Sequence, residues 1–397
     1  MLRFLTAGES HGKGLVVIVE GAPSGLEITT ERVADELARR RLGFGRGPRM
    51  RFERDEVTLL AGVRHGRTLG SPIAIEIANT EWEKWREEMS PDPGHTERPL
   101  TAPRPGHADL AGMQKYALKD ARDVLERASA RETAARVAAG TVAKAILGEL
   151  GASVLSHTVA LGGVEVPASV RPGPEDLAAI DDNEVRCADA ATSATMVAAI
   201  KSAAADGDSL GGIAEVLAFD VPVGLGSHVH WDRKLDGLLA RAVMSIQAVK
   251  GVEIGSAALQ AKGRGSEAHD SIELDAGATA AGGFGRGAAL AGGLEGGITT
   301  GSLIVVRATM KPLSTLSRPV LATVDISTGD TSTSFKERTD VTAVPAMGVV
   351  AESMVALVLA SEALRKFGGD SVRELRRNVA GFLADAARVG HLVDAES

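Results

Sequence analysis

Glycine sets the terms for this chain: it supplies 46 of 397 residues, and much of it lies in clusters. Glycine lets a backbone turn sharply or approach a ligand closely, so the clusters mark loops between short elements. Between them, strand and helix patterns alternate. Leu15, Val16, Val17, Ile18 and Val19 form a β-rich run closed by Gly21-Ala22-Pro23. Thr29-Thr30-Glu31 opens a helix in which Val33, Leu37 and Arg41 recur at helical spacing, ending at Gly43. Residues 56–60 and 72–77 predict strands, the second with Ile73, Ile75 and Ile77 alternating. Residues 81–105, punctuated by Pro91, Pro93, Pro99 and Pro103, predict a long surface loop. Residues 108–150 predict helix broken around Ser129. Strands are expected at 152–161, 213–223 and 303–308, and helices at 232–249, 346–366 and 372–389, with a polar tail from about 390. The glycine-dense stretch 277–301 predicts a flexible loop. No repeat or linker divides the chain, so the pattern predicts one α/β or α+β body over residues 1–397.

Charge and cysteine usage exclude several function classes. Net charge is -8, from 52 acidic against 44 basic side chains, so the field needed for general nucleic-acid affinity is missing. Aromatics at 3% leave little for stacking single-stranded bases. A lone cysteine, Cys187, excludes an internal disulfide or a multi-cysteine metal cluster and fits a reducing compartment. The N-terminus lacks a signal-peptide pattern, and the apolar stretch Met354–Ala360 is far short of a membrane span. A cytoplasmic protein without membrane or nucleic-acid partners is expected.

Any anion site must therefore be built from locally concentrated cations. Two histidines sit in glycine-containing segments, Gly8-Glu9-Ser10-His11-Gly12 and Arg104-Pro105-Gly106-His107, where an imidazole can move protons near neutral pH. Arg39, Arg40 and Arg41 close a helix, where cations complement its dipole. That does not account for Arg46 and Arg49 in the loop behind it, whose donor forks suit a carboxylate or phosphate. The loop follows a helix and not a strand, which rules out a dinucleotide fingerprint. In Glu126-Arg127-Ala128-Ser129-Ala130-Arg131-Glu132-Thr133 the local reading is an alanine-rich helix with solvated charges, against an anion-binding helix break. Lys311-Pro312-Leu313-Ser314-Thr315 can hold phosphate or be one more of the common Lys-Pro-x-Ser turns, and Arg338-Thr339-Asp340 is either a plain salt bridge or an arginine holding an anion beside a proton-handling carboxylate. Among the remaining histidines His228 and His230 lie two apart, as metal ligands can, but no supporting cluster accompanies them, so no metal is expected. No Gly-x-Ser-x-Gly elbow, Walker loop or His-Glu-x-x-His helix occurs.

Taken in order, these segments resemble the chorismate synthase family along nearly the whole chain. The likeness rests on Gly8 to Gly12, Gly21-x-Pro23-x-Gly25, Arg39-Arg40-Arg41, and Arg104-Pro105-Gly106-His107-Ala108-Asp109. It continues through Ser129-Ala130-Arg131-Glu132-Thr133-Ala134, Gly251-Val252-Glu253-Ile254-Gly255, Gly296-Gly297-Ile298, and Arg338-x-Asp340 before the helix containing Glu352. The resemblance implies a β-α-β sandwich, with helices layered between antiparallel sheets, assembled as a homotetramer. It implies a 1,4-anti elimination of phosphate from 5-enolpyruvylshikimate 3-phosphate, giving chorismate as the last shikimate-pathway step, with reduced FMN as cofactor. His11 would be the acid at the leaving phosphate with Ser10 beside it, His107 would lie at the reduced flavin, and Asp340 would assist proton removal. Arg40, Arg46, Arg49, Arg104 and Arg131 correspond to the substrate-side cations. Arg127, Ala128, Ser129, Gln247, Ala248, Gly296, Lys311, Pro312, Leu313, Ser314, Thr315 and Arg338 correspond to flavin contacts; some members carry serine where this chain has Ala128. Members differ in whether NADPH or an external reductant reduces the flavin, and the sequence leaves Arg40 and Arg46 facing either NADPH or substrate. Two rivals remain at this stage: a phosphomonoester hydrolase with a His-Arg site, and a non-catalytic anion-binding protein.

Overall fold

Alternation of inward and outward side chains builds the first of the two larger antiparallel sheets in the computed structural model, which describes residues 2–46, 55–96, 99–318, 320–334 and 340–388. That sheet holds β1 (Arg3–Gly8), β2 (Gly14–Glu20), β3 (Glu56–Ala61) and β4 (Ile73–Ala78) in the order β1-β2-β4-β3. Register places Leu15 opposite Ile77, Val17 opposite Ile75 and Val19 opposite Ile73, and all six are buried on one face. The second sheet runs β8-β9-β7-β5-β6, built from β5 (Ser153–Leu161), β6 (Val164–Glu165), β7 (Gly212–Phe219), β8 (Val249–Ile254) and β9 (Ile304–Met310). Its central strands are covered on both sides. Val216 and Val306 join the main core, whereas Leu155, Leu217 and Val305 pack with Ile180 in a smaller cluster on the other face.

The helices are α1 (Thr30–Arg40), α2 (Asp109–Tyr116), α3 (Arg122–Ala128), α4 (Thr133–Gly148), α5 (Ala190–Asp206), α6 (Leu235–Met244), α7 (Val344–Phe367) and α8 (Val372–Arg388), besides shorter turns. The Thr29 hydroxyl caps α1 by accepting from the Arg32 N–H at 3.1 Å. Helix α4 packs on α1, β2 and α7, and α7 in turn packs on β5 and β7. The architecture is therefore mixed helix and antiparallel sheet. By length and composition α7 could cross a membrane, yet 89% of its apolar window is buried in the protein. It is a core helix.

The α4–α7 crossing is tight because Gly140 lacks a side chain: a Cβ there would stand 2.3 Å from the Ser353 Cβ. Gly140→Ala is expected to destabilise the fold by about 1–3 kcal/mol through overpacking, although alanine is the better helix former. A lowered urea midpoint at unchanged slope checks this; an unchanged midpoint refutes it.

Several sequence expectations need adjustment. The 108–150 helix is divided not only at Ser129 but also at Ala117, whose left-handed φ of 56° caps α2. The helix expected over 232–249 is confined to α6, since Val249 already pairs with Met310 in β8. A helical turn, Trp82–Trp85, interrupts the 81–105 loop, and the 277–301 stretch contains paired strands at Phe284–Arg286, Leu294–Glu295 and Ile298–Thr299.

Candidate functional site

The turn between β1 and β2 carries Ser10 and His11, and glycine closes it: a Cβ on Gly8 would stand 2.3 Å from the Gly14 carbonyl oxygen, with φ at +105°. Helix α3 holds this turn through Glu126. The Glu126 backbone oxygen accepts from the Ser10 N–H at 3.0 Å. Its carboxylate accepts from the His11 N–H at 2.8 Å and lies 2.9 Å from His11 Nδ1. The Trp85 ring covers the imidazole at 4.2 Å between centroids, and the Arg122 guanidinium lies 4.9 Å over that same indole. Ser129, at the end of α3, donates its hydroxyl to Ser10 Oγ at 3.1 Å.

Two arginines converge beside this turn. Asn79, just past β4, donates to the carbonyls of Gly12 (2.7 Å) and Glu9 (3.1 Å), and accepts from Arg131 Nε at 2.9 Å. Arg131 also bonds Asp55, whose other oxygen lies 3.6 Å from Arg40. All of these side chains are buried, so their charges must be paired. Burial would raise the Asp55 carboxyl, but the charges of Arg40 and Arg131 outweigh it and hold it below its ordinary value. The local reading of residues 126–133 as solvated helix is therefore overturned: Glu126, Arg131 and Glu132 all lie inside.

The second histidine has its own carboxylate. Gly106, at φ +78°, turns the chain so that His107 Nδ1 meets Asp109. The same carboxylate accepts from the Arg104 N–H at 3.1 Å and from Arg104 Nε at 2.8 Å. Arg104 Nη1 donates to Thr315 Oγ1 at 3.1 Å, and Lys311 Nζ donates to the Gly106 oxygen. Burial pushes the Asp109 carboxyl up, yet the hydrogen bonds from His107 and Arg104 drive it far below the usual carboxylate range. Ser314 borders Gly106, its Cβ 3.6 Å from where a Gly106 Cβ would stand. The backbone of Ala121 donates to Leu100 O, so α3 anchors this segment as well as the His11 turn.

Other expected residues attach to these two clusters. Arg127 donates to the Gly8 carbonyl at 3.0 Å and to the Thr6 hydroxyl at 2.7 Å, with its side chain 44% exposed. Thr6 bonds Glu132, which also accepts from Gln247 at 3.1 Å. Ala248, in left-handed backbone at φ +65°, accepts from the Lys311 N–H. Arg46 forms an ion pair with Asp340, Nε lying 3.0 Å from the carboxylate. Ser209 donates to the Leu313 carbonyl while the neighbouring Leu210 donates to Val341, which ties the Arg46–Asp340 pair to the 311–315 turn beside Pro312. Ala128 ends α3. Gly296, at φ +61°, lies beside His228 on the Leu294–Thr299 hairpin. Arg49 and Arg338 lie outside the described residues.

The helix-dipole reading of Arg39 is corrected. Its guanidinium turns into the protein and donates to Glu352 at 2.7 and 3.0 Å and to Asp181 at 2.6 Å. Sequence reasoning also missed the buried acceptors Glu126, Asp109, Asp55 and Asn79 as organisers of the site. Unmatched arginines in loops were the available signal, because buried cations demand counter-charges.

The profile of the family described as Chorismate synthase matches residues 2–364. The chain belongs to the chorismate synthase family. The chorismate synthase of Salinispora tropica is 60% identical over 392 residues, spanning 96% of this chain and 98% of that protein. That of Saccharopolyspora erythraea is 57% identical over 393 residues, spanning 97% of each. A solved crystal structure of chorismate synthase superposes with a TM-score of 0.77 at 40% identity, over 97% of this chain and 98% of the other. The chorismate synthase match runs from Leu2 into α7, so it includes both histidine clusters and the Arg46–Asp340 pair.

Proposed function

We propose that this protein is a carbon–oxygen lyase that converts 5-enolpyruvylshikimate 3-phosphate to chorismate by 1,4-anti elimination of phosphate. The observation that carries the reading is a linked cluster in a chain of this family: Ser129 bonds Ser10 beside His11, Asn79 holds the carbonyls of Glu9 and Gly12 in that same turn and accepts from buried Arg131, and Arg131 shares Asp55 with buried Arg40. The substrate presents two carboxylates and a phosphate, which call for several convergent cations and one acid. In the reaction the C–O bond to phosphate breaks and a proton leaves C6, with no net redox change. His11 delivers a proton to the leaving phosphate, with the Ser10 hydroxyl beside it. Arg40, Arg104 and Arg131 clamp the anionic groups, and Asp340, held by Arg46, takes up a proton at its carboxylate.

The second cluster suits a flavin mononucleotide. Gly106 leaves a cradle that a Cβ would narrow, 3.4 Å from Lys311 Nζ, and Lys311, Ser314 and Thr315 provide a cation and hydroxyls around it. Arg127, Gln247 and Ala248 supply further polar contacts nearby, and His107 holds a proton at the cofactor's edge. Bound reduced FMN would lend electron density to the allylic system as phosphate departs and recover it as hydrogen is lost. The reading also takes the two sheets with α4 and α7 between them as a β-α-β sandwich, forming one domain in a cytoplasmic homotetramer. Leu5 and Ile18, paired across β1 and β2 and 72% and 44% exposed, offer apolar surface for another copy to cover.

An anaerobic assay tests this. With chemically reduced FMN, phosphate and chorismate absorbance are expected to rise together. Turnover on oxidised FMN, or phosphate release without chorismate, overturns the reading. NADPH in place of the chemical reductant reports whether the protein reduces its own flavin.

A further inference from the structure

We propose that Glu126 is a positioning residue that sets the tautomer and angle of the His11 imidazole. The inference rests on the reading of His11 as the proton donor. One carboxylate takes two bonds from the same residue: Oε2 from the His11 backbone N–H at 2.8 Å, and Oε1 from the ring at Nδ1, at 2.9 Å. Two anchor points from a single rigid group fix both the turn and the side-chain torsion. An ionised carboxylate can only accept, so Nδ1 carries its proton toward Glu126, and Nε2 becomes the ring nitrogen that exchanges protons with a ligand.

The surroundings keep Glu126 in that role. It is 2% exposed, which denies it water as an alternative partner. Burial would raise its carboxyl, but the hydrogen bond and charge of His11, the backbone bond, and the Arg122 charge together hold it below the ordinary value. Arg122 braces it from one turn earlier on α3, 3.3 Å from Oε1, while also lying over Trp85. Trp85 closes the face of the imidazole, so the ring cannot swing away from its carboxylate without displacing the indole. The same arrangement recurs at His107, where buried Asp109 meets Nδ1.

Glu126→Gln in the full chain tests the proposal. An amide has one acceptor and one donor end; with its oxygen on the backbone N–H, it turns its NH₂ to Nδ1 and forces the proton onto Nε2. With ¹⁵N-histidine labelling, and the signals of His11 assigned by their loss in His11→Gln, the protonated and unprotonated ring nitrogens are expected to exchange places. The expected kinetic result is a fall in kcat of about 10²-fold with KM within about twofold. Unchanged ring signals overturn the proposal whatever the activity. Exchanged ring signals with wild-type kcat uphold the positioning and remove His11 from the proton-donor role instead. Should Glu126→Gln not fold, Glu126→Asp keeps the charge at a shorter reach. A preserved Nδ1–H signature with reduced kcat then supports the proposal, and wild-type kcat overturns it.

Discussion

His11→Ala is expected to lower kcat by about 10²–10⁴-fold, the range associated with loss of a general acid or base. The size of the effect follows from how the residue is held. Its backbone and ring are both tied to Glu126, its flank is closed by Trp85, and Ser10 beside it receives the Ser129 hydroxyl. Ser10 beside it is a neutral hydroxyl and has no charge to replace it. His107→Ala is expected to fall in the same range. The two variants differ in a second readout: His107 sits with Arg104, Lys311 and Thr315, so its loss is expected to weaken FMN retention, whereas His11→Ala leaves it intact. Steady-state turnover with reduced FMN, together with flavin titration of each variant, measures both effects. Near-native turnover in His11→Ala would remove it from the reaction.

Local pattern made some of this visible, and distance in sequence hid the rest. The Ile73, Ile75, Ile77 alternation announces β4 because one face of that strand is buried. Thr29 announces α1 because its hydroxyl satisfies a free helix N–H. β1 gives no such signal: Arg3, Leu5 and Ala7 point outward and Phe4, Thr6 and Gly8 are only half-buried, so polarity does not track its faces. Helix α5 is alanine-rich with little contrast around its circumference, and tertiary packing of Met196, Val197 and Ile200 decides its place. The site follows the same logic. Ser10, His11 and Arg131 are recognisable by residue type within short motifs. Their partners are not, because Glu126 lies 115 residues from His11, and Asp55 lies 76 from Arg131. Folding alone brings those groups together.

Glu352→Ala is expected to destabilise the protein by about 3–5 kcal/mol, since removing one partner strands buried opposite charges. Glu352 sits on α7 with no solvent exposure and accepts from Arg39 at 2.7 and 3.0 Å, Lys144 at 2.6 Å, Ser156 at 2.7 Å and Arg186 at 3.2 Å. Asp181 and Glu36 also contact these cations, so three acids balance three bases; alanine leaves one positive charge in excess where water is scarce. Burial raises the Glu352 carboxyl, but the charges of Arg39, Lys144 and Arg186 outweigh it and hold it well below its ordinary value of 4.5. The unfolded chain therefore takes up a proton before the folded one does as pH falls. The stabilisation is full above pH 4.5 and is lost toward the lower folded-state value, so the gap between wild type and variant narrows in acid. Urea midpoints at neutral pH and below 4.5 test both parts, and equal midpoints at neutral pH would show that the cations re-pair without cost. The consequence also reaches the site through the chain itself. Arg39 faces Glu352, while Arg40, the next residue, faces Asp55, so the last turn of α1 is held from both sides. Loosening the inner anchor frees that turn to shift, and weaker substrate binding at Arg40 is expected to accompany the loss of stability.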